Sequence, residues 1–140
     1  FKSANMSMGI NVLSELCKRA SAILGANYDI EIVEQHHHNK LDAPSGTAIT
    51  LAGDILDRID RKTHWTSGTT TEPAELEITS VRRSVVPGIH TVTYESDADL
   101  IAITHSAKSR KGLATGAVLA AEFICGKRGI FTMKDLMGID

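Results

Sequence analysis

Apolar positions recur along this chain with two different spacings, and the changes of spacing mark its elements. Gly9, Leu13, Leu16, Cys17, Ala20 and Leu24 fall on one helical face, while Glu15, Lys18 and Arg19 lie away from it. This predicts a helix over residues 6–24, with Asn5 or Ser7 as N-cap and Gly25 and Asn27 at its end. Residues 28–35 then alternate, with Tyr28, Ile30 and Ile32 against Asp29, Glu31 and Gln35, which is a strand with one polar face. Ala48, Leu51, Ala52, Ile55, Leu56 and Ile59 return to helical spacing and predict a helix over 46–60. Residues 61–75, rich in Thr, Ser and Gly with Pro73, read as a surface loop that carries Trp65.

Three further strands follow over 76–84, 89–96 and 100–106, separated by Pro87-Gly88 and by Asp97-Ala98-Asp99. Thr79, Thr91, Thr93 and Thr104 suit a pleated surface. The expected class is therefore α+β in two layers: a mixed sheet of about four strands with helices packed on one face. The other face mixes Thr, Arg and Glu with apolar residues and suits either solvent or another subunit. Over 113–125 only Thr115, Gly116 and Glu122 are not apolar. A helix apolar nearly all round must be covered on several sides, so a partner outside this chain, a domain or a subunit, is expected for it. Residues 130–140 form a tail in which Phe131 and Met133 are expected to dock.

Composition narrows the class. A length of 140 residues fits one domain, and 42% hydrophobic with 23% charged residues supports a packed core. A net charge of −2 argues against nucleic-acid or membrane-surface binding, and no apolar run approaches a membrane span. Cys17 and Cys125 both fall in apolar helical patterns and read as buried thiols of a reducing cytoplasm. The chain opens on Phe1 rather than Met, as a fragment or a processed product would.

The chemistry is concentrated between the first strand and the second helix. Residues 34–48 place His36, His37, His38, Lys40 and Asp42 ahead of Pro44 and a Ser45-Gly46-Thr47 turn. An imidazole both gives and takes a proton near neutrality, and Lys40 adds a fixed charge. The open amides of a helix N-terminus make an anion site, with Ser45 as a cap and Gly46 allowing close approach of a ligand to the backbone. Such groups suit a small anion that must be protonated or deprotonated. Read singly, Ser45 and Thr47 are plain caps and Lys40 a solvated lysine. A metal site is the alternative for the histidines, but on an extended chain at most His36 and His38 share a face, and no second cluster follows at zinc spacing.

The run His-His-x-x-Lys-x-Asp-Ala-Pro-Ser-Gly-Thr-Ala, residues 36–48, resembles the 4-hydroxy-tetrahydrodipicolinate reductase (dihydrodipicolinate reductase) family. Arg82, Gly88, His90 and the segment 103–110 are also similar to it, while Ser84-Val85-Val86-Pro87 departs from its usual glycine nearer Arg83. The resemblance implies a cytoplasmic homotetramer, associated through the sheet, that reduces a cyclic dicarboxylate with NADPH or NADH in diaminopimelate and lysine synthesis. It implies His36 and Lys40 as catalytic residues, and His37, Lys40, Ser45, Gly46, Thr47 and Arg110 as binders of the carboxylates. Ser3, Ala4, Asn5 and Met6 correspond to the segment that meets the nicotinamide, with Met6 where the family has an aromatic. No Gly-x-Gly-x-x-Gly follows a strand, since Gly112 and Gly116 are wrongly spaced, so the dinucleotide-cradling Rossmann half is expected elsewhere. The domain reading is then a hinge over 1–6, a substrate-binding and oligomerisation unit over 7–109, and a helix and tail over 110–140 that return to the cofactor domain. A non-catalytic binding or oligomerisation module is the competing reading for the chain in isolation.

Overall fold

The computed structural model describes residues 1–139. Its elements are α1 (Met8–Leu24), β1 (Asp29–His36), α2 (Gly46–Leu56), β2 (His64–Ser67), β3 (Glu75–Arg82), β4 (Ile89–Glu95), β5 (Leu100–Ser106), α3 (Lys111–Phe123) and α4 (Met133–Met137). The sheet has five strands in the order β2-β3-β1-β4-β5. β2 and β1 both run parallel to β3, and β4 pairs antiparallel with β1 and β5, so the sheet is mixed as expected.

One face of this sheet is buried by α1 and α2. Ile30, Ile32, Leu76, Ile78, Val92 and Tyr94 from the strands meet Ile10, Leu13 and Cys17 of α1 and Ala48, Leu51, Ala52 and Ile55 of α2. Burying apolar side chains on this scale is the main driving term of the fold. Tyr94 reaches across the core, where its hydroxyl donates to the Cys17 carbonyl at 3.0 Å and bonds the Ser21 hydroxyl at 2.9 Å, so its polar end is satisfied. α1 opens on Ser7, whose hydroxyl accepts from the Ile10 amide at 3.4 Å.

Four features differ from the sequence reading. The 61–75 segment is not all loop: β2 adds an edge strand to β3, and Trp65 packs half-buried against the core. Its four residues sit among turn formers, where alternation is too short to register. α2 stops at Leu56, yet Ile59 stays buried because the following turn carries it inward. Cys125 is exposed, unlike Cys17, because it follows α3, a helix that is itself mostly exposed. The tail folds as α4, where the Asp135 carboxylate accepts from the Thr132 amide at 2.7 Å and hydroxyl at 3.0 Å. Met133 is buried there and Phe131 half-buried, as expected.

α3 touches the rest of the chain through its small residues. A methyl added to Gly116 would lie 1.7 Å from the Met6 carbonyl oxygen, so this glycine lets the entry to α1 lie directly on α3. Leu113, Val118 and Leu119 remain exposed, which keeps the expectation of a further covering partner open. Phe1, Phe123 and Phe131 stack edge-on and tie both ends of the described chain together.

Candidate active site

The inward-facing positions of the sheet change character at one end. Moving along the strands, Ile32, Ile78 and Val92 give way to Glu34, Ser80 and His90, and then to His36 and Arg82. The register sets Glu34 between Ser80 and His90, His36 beside Arg82, and His90 opposite His105. The helix-facing surface therefore ends in a polar patch, adjoining a cavity of about 620 Å³ between the N-terminus of α2 and the start of α3.

Glu34 is fully buried. A buried carboxylate is costly unless paired and hydrogen-bonded. Arg82 supplies that pairing as a fork, with Nη2 at 2.8 Å from Oε1 and Nη1 at 3.1 Å from Oε2. The Ser45 amide approaches Oε1 at 3.4 Å, and His36 Nδ1 bonds Oε2. Burial pushes the Glu34 carboxyl up, but its hydrogen bonds, led by that from Arg82, outweigh this and hold it below its ordinary value. Arg82 also donates to the Asp42 carbonyl at 2.7 Å, which ties the carboxylate to the loop carrying Lys40.

His36 stands over this pair. Burial lowers its pKa and the Glu34 carboxylate pulls it back up, with the net shift downward. Its ring meets that of His90 edge-on, with centroids 5.2 Å apart. The His90 Nε2 bonds the Ser45 hydroxyl at 3.0 Å, and its Nδ1 is buried without a partner. Burial, helped by the neighbouring His36, brings His90 down to about 4.

That depression has a consequence for stability. A histidine neutral in the fold but titrating near 6.5 when unfolded contributes stability that is full above about pH 6.5 and is lost as pH falls towards its folded value. The size for His90 is on the order of 3 kcal/mol, and His105, lowered by its own burial, acts in the same direction. Urea denaturation between pH 7 and pH 4 should show stability falling throughout that window, with a shallower fall in His90→Gln. A flat profile in the unaltered chain would contradict the burial argument.

The structure brings most of the expected site residues together. His36, His37, Lys40, Thr47 and Arg110 all line the cavity, with Asn5 on its wall. Lys40 forms an ion pair with Asp42 at 2.9 Å on the exposed side of the loop, and Asp42 is held below its ordinary pKa first by that bond. Arg110 stands at the N-cap position of α3. Asn5 donates from Nδ2 to the Thr47 hydroxyl at 3.1 Å and accepts at Oδ1 from the Ser7 amide at 2.8 Å.

Other expectations are corrected. Ser45 does not line the cavity: it is buried, and its hydroxyl accepts from the Ala48 amide at 3.1 Å and bonds His90. It is the cap of α2, the plain reading of this residue. Gly46 is exposed and off the cavity wall, though the first turn it opens leaves the Gly46 and Thr47 amides outside the helical hydrogen-bond pattern. His36 and His38, the pair that an extended chain could at most place on one face, do not share one. β1 ends at His36, alternation stops there, and His38 turns away to bond the Ser84 carbonyl at 2.7 Å while His37 faces the cavity. Of the N-terminal segment only Asn5 lines this cavity. Ser3 donates to the Asn5 carbonyl at 2.6 Å, Ala4 lies on a smaller pocket, and Met6 rests on Gly116.

Glu34 carries no expected role, and Arg82, His90 and His105 enter only through the resemblance. The available signal was in the strands: the inward alternation of β1 runs through Ile30 and Ile32 into Glu34, an acid where a core residue belongs. Glu34, His36 and His90 place potential ligand atoms within 4.8 Å of one another, as a metal site would. Both oxygens of Glu34 already accept from Arg82, whose charge opposes a cation beside them.

Comparison with known proteins places the chain in a family. The chain is 48% identical over 137 residues to a 4-hydroxy-tetrahydrodipicolinate reductase of Christiangramia forsetii, covering 96% of this chain and 57% of that protein. Proteins of the same name match at 42% identity in Clostridium novyi and 45% in Caldanaerobacter subterraneus, over 98% of this chain and 56% and 57% of theirs. The chain thus spans somewhat more than half the length of these relatives. Among solved structures, a dipicolinate-bound dihydrodipicolinate reductase from Paenisporosarcina sp. TG-14 shares the fold, with a TM-score of 0.70 at 22% identity over 86% of this chain and 47% of that one. The family described as dihydrodipicolinate reductase, C-terminus, matches residues 9–137, and the chain belongs to that family.

Proposed function

We propose that this chain is the substrate-binding and proton-donating half of an NAD(P)H-dependent 4-hydroxy-tetrahydrodipicolinate reductase of diaminopimelate and lysine synthesis. The observation that carries the reading is the convergence of His36, His37, Lys40, Thr47 and Arg110 on one cavity. Two carboxylates on a small ring explain why cations from two separate loops and the first turn of a helix meet at one place. The relatives' shared name supports the same reaction.

The residues divide the work. Arg110 has the planar fork that grips a carboxylate through two hydrogen bonds. Lys40 pairs with the exposed Asp42, so a substrate carboxylate can exchange with that acid. Thr47, with the open amides of the α2 first turn, receives the second carboxylate, and His37 closes that side. Ser45 acts through the helix it caps. The nicotinamide, when bound, supplies the hydride to the conjugated ring, which leaves an electron-rich enamine. His36, with Lys40 beside it, delivers the proton that completes the reduction.

The residues present fit the substrate side of this division and only an edge of the cofactor side. Asn5 stands on the cavity wall, whereas among the described residues no glycine-rich strand-to-helix turn offers a pyrophosphate cradle. The apolar flank of α3 formed by Leu113, Val118 and Leu119 suits the cofactor domain, and the open sheet face around Val33, Thr91 and Leu100 suits a homotetramer contact. No described helix is long and apolar enough to cross a membrane. The test is NADPH or NADH oxidation by the complete protein supplied with freshly made dihydrodipicolinate, alongside this chain alone. Turnover by the complete protein and little or none by the chain alone is expected. Absence of turnover in the complete protein with both nucleotides would reject the assignment.

A further inference from the structure

We propose that Glu34 is the positioning residue of the reaction: it holds His36 by Nδ1 so that the proton delivered to substrate sits on Nε2. This rests on the assignment of His36 as the proton donor, and it assigns a task to a residue that the cavity itself does not include.

The geometry is built for this purpose. Glu34 and His36 lie two apart on β1, so both side chains leave the same face of the strand. The Arg82 fork keeps Glu34 ionised, and an ionised carboxylate only accepts hydrogen bonds. The bond from His36 Nδ1 to Glu34 therefore requires the proton on Nδ1, which leaves Nε2 as the working nitrogen. The surroundings fix the ring from two more sides. His90 packs edge-on against it at 74° between planes. Gly88 leaves room beside Nε2: a methyl there would come within 3.1 Å of that atom, and the backbone holds φ +155. Carboxylate–imidazole pairs of this kind fix tautomer and orientation and raise the basicity of the far nitrogen.

A merely structural Glu34 and a positioning one differ in what they do to titration. The charged and titratable groups facing His36 are Glu34 on its own strand, Arg82 from β3, His90 from β4 and Lys40 from the loop. Of these only Glu34 favours the imidazolium. Removing its charge must lower the His36 pKa, because burial, Lys40 and Arg82 all push downward. A general acid works only while protonated, so the alkaline limb of the activity profile must move to lower pH.

The experiment uses Glu34→Gln in the complete protein, with His36→Gln as the control. Expected are a fall in kcat of about 10–100-fold with KM little changed, and an alkaline limb shifted towards acid. The double variant should be no slower than His36→Gln alone. A Glu34→Gln enzyme with an unchanged kcat and pH profile would overturn the proposal. If His36→Gln itself turns over normally, the proton-donor assignment fails instead. Should Glu34→Gln not fold, ¹⁵N spectra of the unaltered complete protein decide: the expected neutral His36 carries its proton on Nδ1, and a proton on Nε2 alone would overturn the proposal.

Discussion

Replacing His36 by alanine in the complete protein is expected to lower turnover by about 10²–10⁴-fold, the range that a positioned acid contributes. Folding should be affected far less. The ring is half-buried, and its loss leaves Glu34 still gripped by both arms of Arg82. Lys40→Ala should also lower turnover sharply, with a rise in KM in addition, because the proposed mechanism uses Lys40 for both the proton and a carboxylate. Steady-state kinetics with far-UV circular dichroism separates these effects from misfolding. Near-normal turnover in both variants would contradict the mechanism.

The second large effect concerns stability. Arg82→Met removes the fork from a carboxylate with no exposure to solvent, and stranding a buried charge in this way costs about 3–5 kcal/mol. It also strips a donor from the Asp42 carbonyl, so the loop before α2 should loosen. The pH dependence has a definite sign. In the unaltered protein Glu34 titrates below its ordinary value, so its contribution to stability is full above about pH 4.3 and is lost as pH falls through the folded value. The penalty of the variant should therefore be greatest near neutrality and should shrink as pH falls, starting above the ordinary carboxyl range, because burial without Arg82 raises the variant's carboxyl. Urea unfolding at pH 7 and at pH 3.5 measures both numbers. An equal penalty at the two values would mean that Arg82 acts by packing alone.

Much of this architecture was legible because periodicity reports directly on burial. α1, β1, α2 and the β3–β5 strands all carry enough residues for their repeat to register. β2 and α4 do not: β2 spans only two repeats and α4 little more than one turn, and they are held by contacts outside themselves, β2 by its ladder to β3 and α4 by its buried Met133. The site was legible where a loop concentrates unusual groups, as at His36, His37, Lys40 and Thr47. Ser45, which the sequence offers equally as a plain cap, uses its hydroxyl inside the protein. Glu34 and His90 have no role legible in the sequence itself for a further reason. Their meaning depends on register, which sets residue 34 between 80 and 90 and residue 36 beside 82, and no spacing along the chain expresses that.

The central claim is that cationic side chains and a helix N-terminus clamp a doubly charged ring beside the His36 imidazole. A crystal of the complete protein grown with pyridine-2,6-dicarboxylate tests it most directly. The account predicts the ring within the cavity, one carboxylate on Arg110 and Lys40, the other on Thr47 and the first turn of α2, and His36 Nε2 facing the ring. A ring bound elsewhere, or bound with His36 turned away from it, would contradict the account.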